Sequence, residues 1–232
     1  MPSLTNSLAR WLTNYDDQAS MGSRFRAKRI GPLLSMIEAA SHEHGRVDII
    51  DLGGTDFYWG IVPPEYLQKH RVSITIVNPL GSEIKPDRGP FHFVHGDGCN
   101  LADVADKQFH IAHSNSVVEH VGDWDRMVRF AAELQRVSHH YFVQTPNFWF
   151  PVEPHFMTPF FHWLPQPTRV WLVRHFQLGH WPKASSVDEA VRIVENARLL
   201  NRDMMKTLFP NGPLITERVM SLPKSFVAVS RL

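Results

Sequence analysis

Three short strings in this sequence pair a carboxylate or an amide with small residues in a manner that suits a nucleotide-type cofactor. In the first, Val47, Ile49, Ile50 and Leu52 make a β-branched run typical of a buried parallel strand, which stops at Gly53 and Gly54. Glycine there permits a tight turn and lets a ligand approach the backbone, and Asp51 adds a carboxylate at the strand's end. The second strand, Val72 to Val77, closes on Asn78, where a nucleotide-binding βαβ unit usually carries an acid facing the ribose hydroxyls. An amide can still accept and donate, without charge. The third, Phe91 to His95, runs into Gly96-Asp97-Gly98, and Asp97 would sit beside the exocyclic amine of an adenine. Any one of these strings serves equally well as an ordinary turn. Their recurrence at three successive strand ends is the informative feature.

The elements that must position these residues can be read from periodicity. Phe25, Ile30, Leu33, Leu34, Ile37 and Ala40 predict a helix from about 23 or 24 to 42, stopped by Gly45, after a loosely helical lead-in carrying Leu8, Trp11 and Leu12. Its basic residues Arg24, Arg26, Lys28 and Arg29 are expected on a solvated face, the alternative being a role in closing on the cofactor's carboxylate or on an anionic substrate. Pro63 and Pro64 open a short helix to about His70. A fourth strand, Phe109 to Ala112, leads into His113, Ser114, Asn115 and Ser116. Asp123 is placed as the N-cap of a helix to about Val137 whose inner face holds Trp124, Met127, Val128, Ala131, Leu134 and Val137. A fifth strand, Tyr141 to Val143, ends at Asn147, and the chain closes with helices capped by Ser186 and Asn201 and an antiparallel strand pair, Leu214 to Met220 with Phe226 to Val229. The expected fold is α/β: a doubly wound, mostly parallel, seven-stranded Rossmann-like sheet.

At 232 residues, with 43% hydrophobic and 20% charged composition, the chain suits one domain. A formal charge of +1 with scattered Lys and Arg gives no electrostatic footprint for nucleic acid, although the fourteen histidines make that charge pH-sensitive. The single cysteine, Cys99, excludes internal disulfides. No apolar h-region and no window of about 18 apolar residues is present, so neither a signal peptide nor a membrane span is expected, and the location is read as cytoplasmic.

Asp51-Leu-Gly-Gly-Thr55, the polar residue closing the second strand, Gly96-Asp97-Gly98 and the string from Ser114-Asn115-Ser116 to Glu119-His120-Val121 together resemble the successive motifs of class I S-adenosylmethionine-dependent methyltransferases. More narrowly they are similar to small bacterial members of the type 11 kind, over residues 45–230. The resemblance implies S-adenosylmethionine as cofactor and S-adenosylhomocysteine as product. It implies Asp51, Gly53 and Gly54 at the cofactor's amino-acid end, Asn78 at the ribose, Asp97 and Gly98 at the adenine, and Ser114 and Asn115 lining the cleft near the sulfonium. Two departures stand out: the usual third glycine is replaced within Asp56-Phe57-Tyr58-Trp59, and the ribose acid is Asn78. On this reading, valine at 54 blocks the seat, and an acid at 78 binds the cofactor at least as well. If the acceptor arrives protonated, Glu119, His120 and His113 are the nearest bases; His120 serves equally as a helix-start histidine bonded to backbone near the cofactor, and packing is the stronger reading for His113.

Residues 148–182 hold ten aromatics and six prolines. So apolar a segment must be buried or bury something, and it follows a strand's carboxyl end, where open α/β sheets bind ligands. The chain is therefore divided into a lead-in (1–44), a cofactor core (45–146), an inserted aromatic-rich lid over the acceptor (147–200) and a closing unit (201–232). Phe148, Trp149, Glu153 and His155 are the expected substrate contacts, with His155 also a candidate catalytic group; His162 is a further polar group of the lid. No histidine spacing supports a metal. The acceptor is expected to be a small or lipid-linked metabolite. The alternatives are a nicotinamide-dependent Rossmann oxidoreductase, which would need G-x-G-x-x-G after the first strand and an acid after the second, and a catalytically silent ligand-binding relative.

Overall fold

A computed structural model describes residue 27 and residues 29–231. The lead-in over 1–23, with Leu8, Trp11 and Leu12, and Arg24, Phe25, Arg26 and Lys28 of the following run lie outside the described residues. Helix α1 spans Gly31–His44 with Pro32 in its first turn, and the expected continuous helix is interrupted at Ile30. Proline is tolerated in the first helical turn, where its missing N–H has no partner to lose.

Strand β1 (Val47–Leu52) is followed by α2 (Pro64–Lys69), β2 (Val72–Asn78), β3 (Phe91–His95), β4 (Phe109–Asn115) and α3 (Trp124–Val137). Then come β5 (Ser138–Pro146), α4 (Gln166–His175), α5 (Val187–Glu195), α6 (Arg202–Leu208), β6 (Leu214–Val219) and β7 (Leu222–Val229). The seven strands form one sheet in the order β3-β2-β1-β4-β5-β7-β6. The first five are parallel, while β7 runs antiparallel to both β5 and β6. This is the mostly parallel, seven-stranded Rossmann-like sheet expected from the sequence. The order reverses at β1, whose neighbours are β2 and β4, so the crevice for a ligand opens at the carboxyl ends of these strands.

Burial along β1 explains why it reads as unbroken apolar sequence. Ile49 packs with Leu33, Ile37, Tyr58, Trp59 and Leu67 on the face covered by α1 and α2, whereas Ile50 and Leu52 pack with Met127, Phe130, Leu134, Met205 and Leu208 on the face covered by α3 and α6. Helix α3 is capped as expected, Asp123 accepting from the Arg126 N–H at 3.0 Å. Its inner face is narrower than the sequence reading: Trp124 and Val128 are exposed, and Phe130 takes the buried position.

Residues 148–200 form a third apolar cluster, in which Phe156, Phe161, Val173, Ala190, Ile193 and Val194 pack between α4 and α5. Several of the other aromatics stay in contact with water: Trp149, Phe160, Trp163, Trp171 and Phe176 are all exposed. Of the ten rings, only Phe156 and Phe161 are buried, while Phe148, Phe150 and Trp181 are half-buried. No helix among the described residues is long and apolar enough to cross a membrane.

Candidate active site

The turn after β1 is fixed from below. Gly53 adopts φ +71, a left-handed conformation that favours glycine, and its N–H donates to the Val77 carbonyl at 2.8 Å, tying the turn to β2. A Cβ at Gly53 would meet the Val117 side chain at 2.6 Å, and one at Gly54 would land on the Asp51 carboxylate. Asp51 itself is fully buried, with Oδ2 accepting from the Trp59 indole at 2.9 Å and Oδ1 from His113 Nδ1 at 2.6 Å. Bonded on both oxygens, Asp51 is a post that braces the turn from beneath. His113 packs against Phe142, Tyr58 and Trp59, as the packing reading expected, and in addition orients Asp51. Trp59 was not among the expected site residues; its signal was the aromatic string standing where a third glycine is usual.

At the end of β2, Asn78 Nδ2 donates to the Gly54 carbonyl at 3.1 Å. The amide therefore holds the glycine turn, and among the described residues its oxygen is left without a hydrogen-bond donor. Beyond β3, the half-exposed Asp97 carboxylate accepts from the Cys99 N–H at 3.0 Å and from Arg126 at 2.9 Å. Burial works against its charge, but these donors hold its carboxyl below the usual range. Gly98 also serves packing, since a Cβ there would meet the Phe130 ring at 2.9 Å.

At the end of β4, Ser114 is fully buried and donates to the Leu52 carbonyl at 3.1 Å, so it braces β1 and does not line a cleft. The partly exposed Asn115 accepts from Arg29 at 2.7 Å, and Arg29 also pairs with Glu217 at 3.1 Å. Arg29 is thus no solvated face residue: its side chain is 10% exposed and bridges α1, β4 and β6. Ser116 follows with φ +56, a strained conformation for a residue with a side chain.

Four residues singled out from the sequence converge beside these strand ends. Glu153, buried, accepts from the His155 and Phe156 N–H groups at 3.0 and 2.8 Å and from His155 Nδ1. The other nitrogen of His155 faces His120 Nε2 at 3.1 Å, and His120 Nδ1 faces the Asn196 carbonyl at 2.9 Å. A carbonyl can only accept, so His120 donates through Nδ1 and receives through Nε2; His155 must then donate on both sides. The electrostatics agree. Burial, with the charge on His155 beside it, lowers the His120 pKa, whereas for His155 the Glu153 carboxylate outweighs burial and raises it. Glu119, buried, takes a hydrogen bond from Thr145 on Oε2 at 2.9 Å, and its Oε1 has no partner. Burial pushes its pKa up to about 7.

A cavity of about 430 Å³ opens under the inserted segment, bordered by Phe148, Glu153, Phe161, His162, Arg169 and Arg198. That volume is within the range of small-molecule sites. Trp149 does not border it: its ring is 62% exposed and lies on a separate depression with Asn147 and Arg202, which corrects its assignment to the same pocket. His162 donates through Nε2 to the Phe148 carbonyl at 2.7 Å and burial lowers its pKa, so it forms a neutral wall. No group of three or more metal-ligating side chains is assembled among the described residues.

No protein-family model matches the chain. Over 64 residues it is 38% identical to an uncharacterized protein of Mycobacterium tuberculosis, a match covering 27% of this chain and 22% of that relative. The chain thus spans about a fifth of the length of the curated relatives it matches. Among solved structures it is similar to the PH0226 protein of Pyrococcus horikoshii, with a TM-score of 0.51 and 14% identity over 96% of this chain and 97% of that one. It is also similar to LepI, solved in complex with SAM, with a TM-score of 0.50 and 7% identity over 86% of this chain and 46% of that one. A SAM-dependent methyltransferase of Methanosarcina mazei aligns at a TM-score of 0.47 and 12% identity over 79% of this chain and 91% of its own. At these identities the likeness is one of fold.

Proposed function

We propose that this class I methyltransferase fold is an S-adenosylmethionine-dependent methyltransferase whose small acceptor binds under the segment 147–200. The observation that carries the reading is the row of three adjacent strand ends. A glycine turn too tight for side chains, the unengaged Asn78 oxygen and the oriented Asp97 carboxylate lie side by side on β1, β2 and β3. A backbone cradle flanked by two acceptors fits a ligand with ribose hydroxyls and an adenine amine to donate. LepI, which shares the fold, was solved with that cofactor. The nicotinamide alternative is disfavoured because Asp56, Phe57 and Tyr58 follow the glycine pair and an amide closes β2.

When bound, the cofactor supplies a methyl carbon already activated by positive sulfur. The chain's task is then to orient the acceptor, exclude water and receive the acceptor's proton. Glu119 is the proposed proton acceptor. Of the four clustered groups it alone combines an oxygen without a partner and a proton affinity near neutrality. His120, His155 and Glu153 act as positioning residues: the ion pair of the latter two keeps His120 neutral and fixes the surroundings of Glu119. The test is calorimetric titration with S-adenosylhomocysteine and, separately, NADH. Binding of the first and not the second is expected; the reverse would overturn the reading.

A further inference from the structure

We infer, building on the methyltransferase reading above, that the acceptor is an organic anion with an apolar body, its carboxylate or phosphate held by Arg169 inside the 430 Å³ cavity. The Arg169 guanidinium makes no hydrogen bond or ion pair among the described residues. Arg169 lies on α4, its side chain partly buried, its Nε out of reach of solvent and without any hydrogen-bond partner. Among the described residues no carboxylate lies within ion-pair distance of it. Burial lowers its pKa, and the charges of Glu153 and Glu195, neither at ion-pair distance, only partly offset that.

The two carboxylates on the same cavity wall are already committed. Glu153 is taken by His155 and two backbone N–H groups, and Glu195 accepts from Gln166 at 2.6 Å. Arg198 also borders the cavity, and its side chain makes no hydrogen bond or ion pair among the described residues. With Glu153 paired to His155 behind it, the lining sets the two guanidinium groups of Arg169 and Arg198 against Glu195, an excess of positive charge facing the cavity. A partly buried arginine without an ion-pair partner is costly in the empty protein, and an anion entering the cavity supplies that partner through the planar fork that suits carboxylate and phosphate. Phe148, Phe156 and Phe161 on the remaining wall provide contact for an apolar or aromatic body.

The experiment uses the full chain saturated with S-adenosylhomocysteine and titrates three probes by calorimetry: 4-hydroxybenzoate, phenyl phosphate and the neutral 4-hydroxybenzamide. At least one of the two anions should bind, about tenfold or more tighter than the amide, and the stronger anion decides between carboxylate and phosphate. In Arg169→Gln the anion should lose about tenfold or more in affinity, and Arg169→Lys should recover part of it, with S-adenosylhomocysteine binding unchanged in both. The inference is overturned if neither anion outbinds the amide, or if Arg169→Gln binds the anions as the native chain does. Failure of S-adenosylhomocysteine to bind while anion binding survives would instead sink the methyltransferase reading and leave the anion site standing.

Discussion

Glu119 is the residue whose environment most constrains what the site can do. Its carboxyl is buried, one oxygen has no partner, and its pKa stands at about 7 against an ordinary 4.5. Over that interval the folded protein keeps a proton that the unfolded chain has released, so Glu119 stabilises the fold fully below pH 4.5 and loses that contribution as pH rises toward 7. Glu119→Gln should therefore flatten the decline in Tm between about pH 4.5 and 7 relative to the native chain, measured by scanning calorimetry. An unchanged pH profile would mean that Glu119 is ionised in the fold. Asn78 offers a second test, in which the structure reverses the expectation from sequence. Because Nδ2 donates to the Gly54 carbonyl at 3.1 Å, Asn78→Asp sets a carboxylate against a carbonyl. It should cost about 1–3 kcal/mol of stability and weaken S-adenosylhomocysteine binding. Equal or tighter binding would show that the donor is dispensable. Residue types were legible from the sequence at both positions, but the direction of a hydrogen bond was not. The same limit hid the pairing of Trp59 with Asp51, since an indole eight residues away is visible only once the turn is built.

Elements were most legible where one local rule acted alone. The caps at Asp123, Ser186 and Asn201 are all present, each side chain accepting from the N–H three residues on. Asp123→Ala should cost about 1 kcal/mol in chemical denaturation, a loss traceable to α3 because Arg126, its partner, also bonds Asp97. Where two rules competed, the sequence misled. Apolar periodicity ran straight through Gly31 and Pro32, yet proline started a new helix there. In the 148–182 stretch, aromatic content suggested burial throughout, whereas only Phe156 and Phe161 among its ten rings belong to the buried cluster between α4 and α5. The remainder could not be sorted by composition, which carries no register. Phe161→Ala should cost about 3–5 kcal/mol if that cluster holds the segment as a unit, while S-adenosylhomocysteine affinity stays within a few-fold of native. Loss of cofactor affinity in the folded variant would tie the segment to the cofactor seat instead.

At the scale of the whole molecule, the sheet order β3-β2-β1-β4-β5-β7-β6 does the organising. Parallel pairing of β1 with both β2 and β4 brings Gly53, Asn78 and Asn115, far apart in sequence, to one edge. The antiparallel β7 fills the place beside β5 and closes the fold. Strand ends were readable because short apolar runs stop abruptly at Gly, Asn and Asp. How the segment after β5 delivers Glu153 and His155 to Glu119 and His120 was not, because that contact joins residues 35 apart through tertiary packing alone. His155→Ala probes the join: methyl transfer should fall while cofactor affinity remains within a few-fold of native, and equal losses in both would make His155 a structural residue only. The central claim, that the three strand ends seat S-adenosylmethionine, is tested most directly by a crystal structure of the chain soaked with S-adenosylhomocysteine. The account predicts the nucleoside over the Gly53–Gly54 turn, its ribose hydroxyls within hydrogen-bond distance of Asn78 and its adenine amine within reach of Asp97. A nucleoside bound elsewhere, or none at saturating concentration, would contradict it.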